Sequence, residues 1–194
     1  MKHEITCDEN HVYRVDGVEY PSVTQIIKAE GLMPNYPDNG AGKFAMQRGT
    51  FVHEIVELYI EGALDVATID PHLKPYFDAF VAWYTQFCVQ TINSCEEKLF
   101  NPSLKYCGTS DLNIERAGAT WLIDIKTGAP STWHNIQLAG YALCYPVTSP
   151  VRAILYLQPD GKYKMVAVRQ IKQDDALFIS AVNLYHWKKN NNIL

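Results

Sequence analysis

No apolar run in this 194-residue chain approaches the length of a bilayer span. The opening residues, Met1-Lys2-His3-Glu4-Ile5-Thr6, lack the apolar core of a secretion signal, so a cytoplasmic protein with no membrane partner is expected. Cysteine is sparse and scattered. Positions 7, 88, 95, 107 and 144 make an odd, unclustered set that fits reduced thiols better than a disulfide framework. Missing spacings exclude several chemistries. The position four residues after His53 is Glu57, so the second histidine of a zincin is absent. Lys126-Thr127-Gly128 carries the KTG letters of serine β-lactamases, but Ser110-Asp111-Leu112 is not SDN and no serine has lysine three positions later. No glycine-rich loop has the spacing that cradles nucleotide phosphates, so the chain by itself is not a nucleotide-driven motor. Internal repeats and low-complexity segments are also lacking.

Positive charge is scarce too. The net charge of −4 opposes a nucleic-acid partner, whose affinity comes chiefly from phosphate neutralisation. Its distribution softens the objection: residues 161–194 hold Lys162, Lys164, Arg169, Lys172, Lys188 and Lys189 against Asp174 and Asp175 alone. With 47% hydrophobic and 20% charged residues, the chain can bury one sizeable core and reads as a single domain over 1–194. Its parts are an N-terminal hairpin, helix and loop (1–42), a core (43–172) and a C-terminal helix (173–194). The patterning predicts a hairpin over 11–20, a helix from Ser22 to Glu30 and further helices over 43–61 and 73–90. Strands follow over 95–101, 105–116 and 120–127, then a helix over 132–145, strands over 151–157 and 163–169, and a final helix. In the last helix Leu177, Ile179, Val182, Leu184 and Trp187 are expected to face the core. Helices flanking a mixed central β-sheet make the expected fold class an α/β sandwich.

The most informative residues are Asp111 and the run Asp124-Ile125-Lys126. Both acids lie in alternating apolar stretches joined by Ala117-Gly118-Ala119, where charges are normally excluded. Period-two alternation places Asp124 and Lys126 on one face, and an antiparallel partner can bring Asp111 beside them. Two neighbouring carboxylates repel. A shared hard cation such as Mg²⁺ removes that penalty and suits hydrolysis of a phosphate ester. After the turn residues Thr127-Gly128-Ala129-Pro130 comes a helix on which Gln137 and Tyr141 lie one turn apart on one face. His53 sits in a helical stretch with Phe44, Phe51, Val52, Ile55, Val56 and Leu58 at its apolar positions, and Glu57 follows at i+4 as a possible partner for the imidazole. A further acid could come from either Glu96 or Glu97; parity does not choose between them, because the register is open.

Taken together, Gly108-Thr109-Ser110-Asp111, Asp124-Ile125-Lys126-Thr127-Gly128 and Gln137-Leu138-Ala139-Gly140-Tyr141 resemble the PD-(D/E)XK nuclease superfamily, in its RecB-like exonuclease branch. Arg48-Gly49-Thr50-Phe51-Val52-His53-Glu54 is similar to that branch's histidine-bearing helix, so the likeness covers residues 48–145. The opening through Asp16-Gly17 and Pro21-Ser22-Val23-Thr24 is similar to phage-type and mitochondrial-type members. The resemblance implies a restriction-endonuclease-like core and a Mg²⁺- or Mn²⁺-dependent deoxyribonuclease. It further implies an exonuclease working on single strands or duplex ends in DNA replication, recombination or repair. By the same resemblance, His53, Asp111, Asp124 and the Ile125 carbonyl bind the metal, Lys126 positions or activates water, and Gln137 and Tyr141 orient the lysine, the water or a phosphate. Asp124 stands where many members carry glutamate, a shorter arm for the same oxygen ligand. No iron–sulfur cluster is expected, because members that hold one place three cysteines near the C-terminus and none follows Cys144 here.

Trp133 and His134, beside the proline turn, are candidates for a base-stacking platform, and Tyr36 is a weaker one. Lys188 and Lys189 are candidates for tracking DNA, although lysines there also suit the helix dipole. The rival from another class is a catalytically silent nucleic-acid-binding module on the same fold.

Overall fold

The computed structural model describes residues 3–34, 40–145 and 150–194; Tyr36 lies outside them. Three short antiparallel strands, β1 (Ile5–Cys7), β2 (Tyr13–Val15) and β3 (Val18–Tyr20), form a small sheet in that order. The β2–β3 turn is Asp16-Gly17, both at positive φ (50° and 82°), the geometry that suits the twist of a two-residue hairpin. β1 has only three residues, too few for alternation to reveal it in the sequence. Helix α1 (Val23–Ala29) starts at a reciprocal cap: Gln25 N donates to Ser22 Oγ at 3.0 Å and Ser22 N donates to Gln25 Oε1 at 2.9 Å.

The main sheet has five strands in the order β4 (Thr91–Asn101), β5 (Tyr106–Arg116), β6 (Ala119–Lys126), β7 (Val151–Leu157) and β8 (Tyr163–Ala167). All neighbours are antiparallel except β6 and β7, whose parallel pairing needs the crossover that α4 (Trp133–Ala142) supplies. Helices α2 (Gly40–Ile60) and α3 (Lys74–Phe87) cover one face around Val52, Val56, Phe80 and Trp83. On the other face α1, α4 and α5 (Ile171–Asn190) enclose Ile26, Leu138, Tyr156 and Phe178. The protein is therefore an α/β sandwich with a mixed sheet, as the element order predicts. No helix among the described residues is long and apolar enough to cross a membrane.

Helix α4 is buried on every side between the sheet, α1 and α5, and it depends on one missing side chain. A Cβ on Gly140 would stand 2.8 Å from both Phe178 Cζ and Val23 Cγ1. Gly140→Ala should therefore overpack the α1–α4–α5 junction and destabilise the fold by about 1–3 kcal/mol, read as a lower chemical-denaturation midpoint at unchanged m. An unaltered midpoint would show that the junction yields freely.

Two sequence expectations about faces are corrected. In α5 the buried residues are Phe178, Ala181 and Val182, whereas Leu177, Leu184 and Trp187 are 43%, 45% and 56% exposed. The helix is also anchored by polar contacts that periodicity does not show: the Arg152 guanidinium clasps the Asp175 carboxylate, and Lys188 Nζ lies 2.7 Å from Glu30 Oε2. In α2, Val52, Ile55 and Val56 are buried as expected, but Phe44 and Phe51 are exposed. Only one flank of each helix meets the rest of the protein.

Candidate active site

Pairing between β5 and β6 stops at Leu112 and Ile123. Beyond that point β6 continues beside β7 as far as Lys126, while β5 stays with β4, so a fork opens between the two strands. Ile125 turns both main-chain groups into this fork. Its N–H donates to Asp111 Oδ2 at 2.5 Å, and its carbonyl oxygen lies 3.2 Å from His53 Nε2. His53 comes from α2, and its Nδ1 is 2.9 Å from Glu96 Oε1 and 3.7 Å from Asp111 Oδ1.

The strands themselves turn over at the acids. Cys95 and Leu112 pack toward α2 and α3, yet Leu99 and Tyr106, at even spacing from them, pack in the α1–α4–α5 cluster. A regular strand would keep each pair on one face. The reversal falls at Glu96, whose φ of +48° is uncommon for a residue with a side chain. Glu96 and Asp111 lie opposite each other, between the pairs Cys95↔Leu112 and Glu97↔Ser110. This decides between the two candidate glutamates. Glu96 turns to His53, whereas Glu97 accepts hydrogen bonds from Ser94 Oγ (2.6 Å) and Tyr145 Oη (2.9 Å). Glu57, considered as the partner of the imidazole, has its place taken by Glu96.

His53, Glu96 and Asp111 each present a ligand atom within 4.8 Å of the others, a donor set that can hold a metal ion. Asp124 is outside that group, but the charges of Asp111 and His53 both act on it. It is 1% exposed, and its carboxylate is paired with the Lys126 ammonium, whose Nζ lies 2.7 Å from Oδ2. An ionised carboxylate so deeply buried is costly unless it is paired, and the Lys126 ammonium supplies that pairing here. Burial, with the nearby Asp111 charge assisting and Lys126 opposing, pushes the Asp124 carboxyl up to about 6. Asp111 is raised by burial as well, with His53 pulling back. For His53 burial disfavours the imidazolium, but Asp111 and Glu96 outweigh it and lift the ring to about 9. The protonated imidazole thus holds one positive charge among three acids and points a proton at the Ile125 carbonyl. Lys126 stays charged, since Asp124 and Asp111 outweigh its burial.

The remaining sequence candidates divide. Gln137 and Tyr141 meet as their spacing implies: Gln137 Nε2 donates to Tyr141 Oη at 2.8 Å and to Thr24 Oγ1 at 3.2 Å, while its Oε1 is buried without a partner. Burial raises the Tyr141 hydroxyl well above its ordinary value, so it stays protonated. Its ring lies so close to Gly108 that a Cβ there would be 2.7 Å from it, which explains the glycine that precedes Thr109-Ser110-Asp111. Lys126 Nζ is 6.0 Å from the centre of the Trp133 ring, which is itself nearly buried. His134 is 3% exposed and shares a 3.0 Å hydrogen bond with Tyr156 Oη; burial holds it neutral, with its value lowered to about 4. The structure places His134 in the packing of α4 rather than on a base-stacking surface, and Lys188 in an ion pair with Glu30.

Arg48 was visible only as a letter of the histidine motif, with no role attached. Its Nη2 donates to the Thr127 carbonyl at 3.1 Å, its Nε to Thr127 Oγ1 at 3.3 Å, and the guanidinium lies over the Tyr76 ring. These contacts staple α2 to the end of β6 and so set the height at which His53 meets Ile125. Beside the staple opens a cleft of about 400 Å³, lined by Arg48, Tyr76, Pro130, Tyr156, Gln158 and Lys164 among others.

No family model matches the sequence, and no curated protein matches it significantly. Among solved structures the chain is similar to an alkaline exonuclease, LHK-Exo, from Laribacter hongkongensis, at 10% identity over 90% of this chain and 95% of that one, with a TM-score of 0.39. It is similar to LHK-Exo in complex with dAMP at 13% identity over 89% and 93% of the two chains, with a TM-score of 0.38. The five-stranded mixed sheet and the separation of β5 from β6 beyond Leu112 and Ile123 stand on this chain's own geometry.

Proposed function

We propose that this chain is a divalent-metal-dependent nuclease of the PD-(D/E)XK superfamily, hydrolysing phosphodiester bonds in DNA as an exonuclease of replication, recombination or repair. The observation that carries this reading is the convergence of His53, Glu96 and Asp111 beside the Ile125 carbonyl, with the buried Asp124–Lys126 pair on the same strand β6. The donor set is hard oxygen with one imidazole, which fits Mg²⁺ or Mn²⁺. His53, Glu96, Asp111, Asp124 and Ile125 O would hold the ion. Bound there, a divalent ion supplies Lewis acidity toward a phosphoryl oxygen and a nucleophile at neutral pH.

The chain's own groups divide the other tasks. Lys126, charged and fixed against Asp124, places an ammonium where the scissile phosphate gathers negative charge. Asp111 anchors the main chain of Ile125 and so keeps that carbonyl aimed into the fork. Gln137 and Tyr141 brace the α4 side through each other and Thr24. The neighbouring cleft adds Arg48 and Lys164, a setting suited to the phosphates of a strand leading to the site.

The test is end-labelled linear DNA, circular DNA and RNA of the same sequence, each incubated with Mg²⁺, Mn²⁺ or EDTA. Linear DNA should be shortened from its ends only with metal, and Lys126→Ala should reduce the rate by about 10²–10³-fold in a folded protein. Failure of the folded wild type to cut any of them with either metal would return the chain to the silent binding module.

A further inference from the structure

Thr24 owes its place to its neighbours in the chain. The Pro21 carbonyl accepts from Cys107 N at 2.9 Å, and Ser22 pairs with Cys107 as an isolated parallel bridge, so the start of α1 is tied to β5. Val23 is fully buried between two glycines: a Cβ added to Gly140 of α4 would stand 2.8 Å from it, and one added to Gly108 of β5 would stand 3.2 Å from it. The Ser22-to-Gln25 cap then fixes the first turn. Thr24 is thereby held against α4. Its Oγ1 lies 3.2 Å from Gln137 Nε2, which also lies 2.8 Å from Tyr141 Oη. One end of the Gln137 amide thus serves two hydroxyls, while the other end, on a side chain only 7% exposed, meets no hydrogen-bond partner among the described residues. The Tyr141 hydroxyl feels the charges of Asp124 and Asp111, which sets this cluster beside the fork.

We propose, on the strength of the nuclease reading, that Thr24 is a positioning residue: with Tyr141 it holds the Gln137 amide so that the free end of the amide meets a phosphate oxygen of the bound strand. An amide carries an acceptor at one end and two donors at the other, and a half-turn about its last torsion exchanges them. After that half-turn both hydroxyls donate to Gln137 Oε1. Tyr141 keeps the proton this needs, because burial raises its hydroxyl well above the ordinary value, and a threonine hydroxyl rotates to suit. The amide N–H groups then face the side that no hydrogen-bonding group of the described residues serves. A phosphate oxygen only accepts, so it matches that end. Thr24, Gln137 and Tyr141 are all neutral here, so the contact fixes where the phosphate sits rather than adding to the charge that Lys126 supplies. Without the Thr24 hydroxyl the amide keeps Tyr141 alone and can swing about that one bond.

The experiment uses the full chain with Mn²⁺ and end-labelled linear DNA, and reads kcat, KM and melting temperature. Slow variants are followed in single turnover, with enzyme in excess of DNA ends. Thr24→Val keeps the bulk of the side chain and removes the hydroxyl, so kcat should fall about tenfold, the worth of one hydrogen bond, while KM holds. The rise in melting temperature on adding Mn²⁺ should match the wild type, because His53, Glu96 and Asp111 are untouched. Thr24→Ser restores the hydroxyl and should recover kcat to within about twofold. Thr24→Ala removes the same hydroxyl with less bulk and should give the same loss, which keeps the test open if valine disturbs the α1–α4 contact. The coupling is decisive. In a Gln137→Met background Thr24→Val should cost nothing further, since no amide is left to hold. A wild type that cuts no DNA with either Mg²⁺ or Mn²⁺ would overturn the nuclease reading and this proposal with it. A wild type that cuts, beside a Thr24→Val variant at full kcat, a loss that Thr24→Ser does not recover, or an equal loss in the Gln137→Met background, would overturn the proposal alone.

Discussion

Asp124→Asn should leave a folded protein that cleaves DNA about 10³-fold more slowly and no longer gains thermal stability from Mg²⁺ or Mn²⁺. Asparagine keeps the shape of the side chain at a position that is 1% exposed, so packing is preserved while the charge and one ligand oxygen are lost. Glu96→Gln should likewise weaken the metal-induced rise in melting temperature, because Glu96 faces His53 and Asp111 across the fork. Glu97→Gln is the control. Its carboxylate is engaged by Ser94 and Tyr145, so the response to metal should persist. Wild-type turnover in the Asp124 variant, or equal effects of the two glutamate variants, would dismantle the assignment of the metal ligands.

In metal-free protein, stability should fall as pH rises, and the increment restored by Mg²⁺ or Mn²⁺ should grow over the same range. Two groups set the sign. His53 has a folded value of about 9 against an ordinary 6.5, so its contribution is fully present below 6.5 and is lost as pH rises through 9. A separation of this size corresponds to roughly 3 kcal/mol. Asp124, raised from 3.8 to about 6, is a buried acid that holds its proton more tightly folded than unfolded, so stability declines between those values and the loss is complete above about 6. A bound cation needs the imidazole neutral and the carboxylates ionised, so metal binding releases protons and strengthens with pH until His53 has titrated. Melting temperatures from mildly acidic to mildly alkaline buffers, with EDTA and with Mn²⁺, should diverge. His53→Gln should flatten the EDTA curve above about pH 6.5. Parallel curves for the wild type would mean that His53 does not share its place with the metal.

Local patterns in this sequence settled a great deal. The element order survives with boundaries shifted by a few residues, since the hairpin glycine, the Ser22-to-Gln25 cap and the alternation of the strands all act within a few positions of chain. Helical spacing sufficed to place Gln137 against Tyr141, and strand parity sufficed to place Lys126 on the side of Asp124. The α/β class followed from the same periodicities, because a strand–helix–strand unit must cross the sheet to pair in parallel.

Tertiary structure decided what those periodicities could not carry. The choice of Glu96 over Glu97 rests on a left-handed residue that reverses the faces of β4, an event invisible to any rule of alternation. The meeting of His53 with Ile125 depends on the fork where β5 leaves β6 and on Arg48 holding α2 to Thr127, contacts between segments far apart in the chain. The fate of α5 was decided the same way. Apolar spacing marks faces that prefer to leave water, but which face reaches the core depends on the neighbours that α1, α4 and the sheet present. Phe178 and Val182 found theirs inside this chain, and Leu177, Leu184 and Trp187 did not.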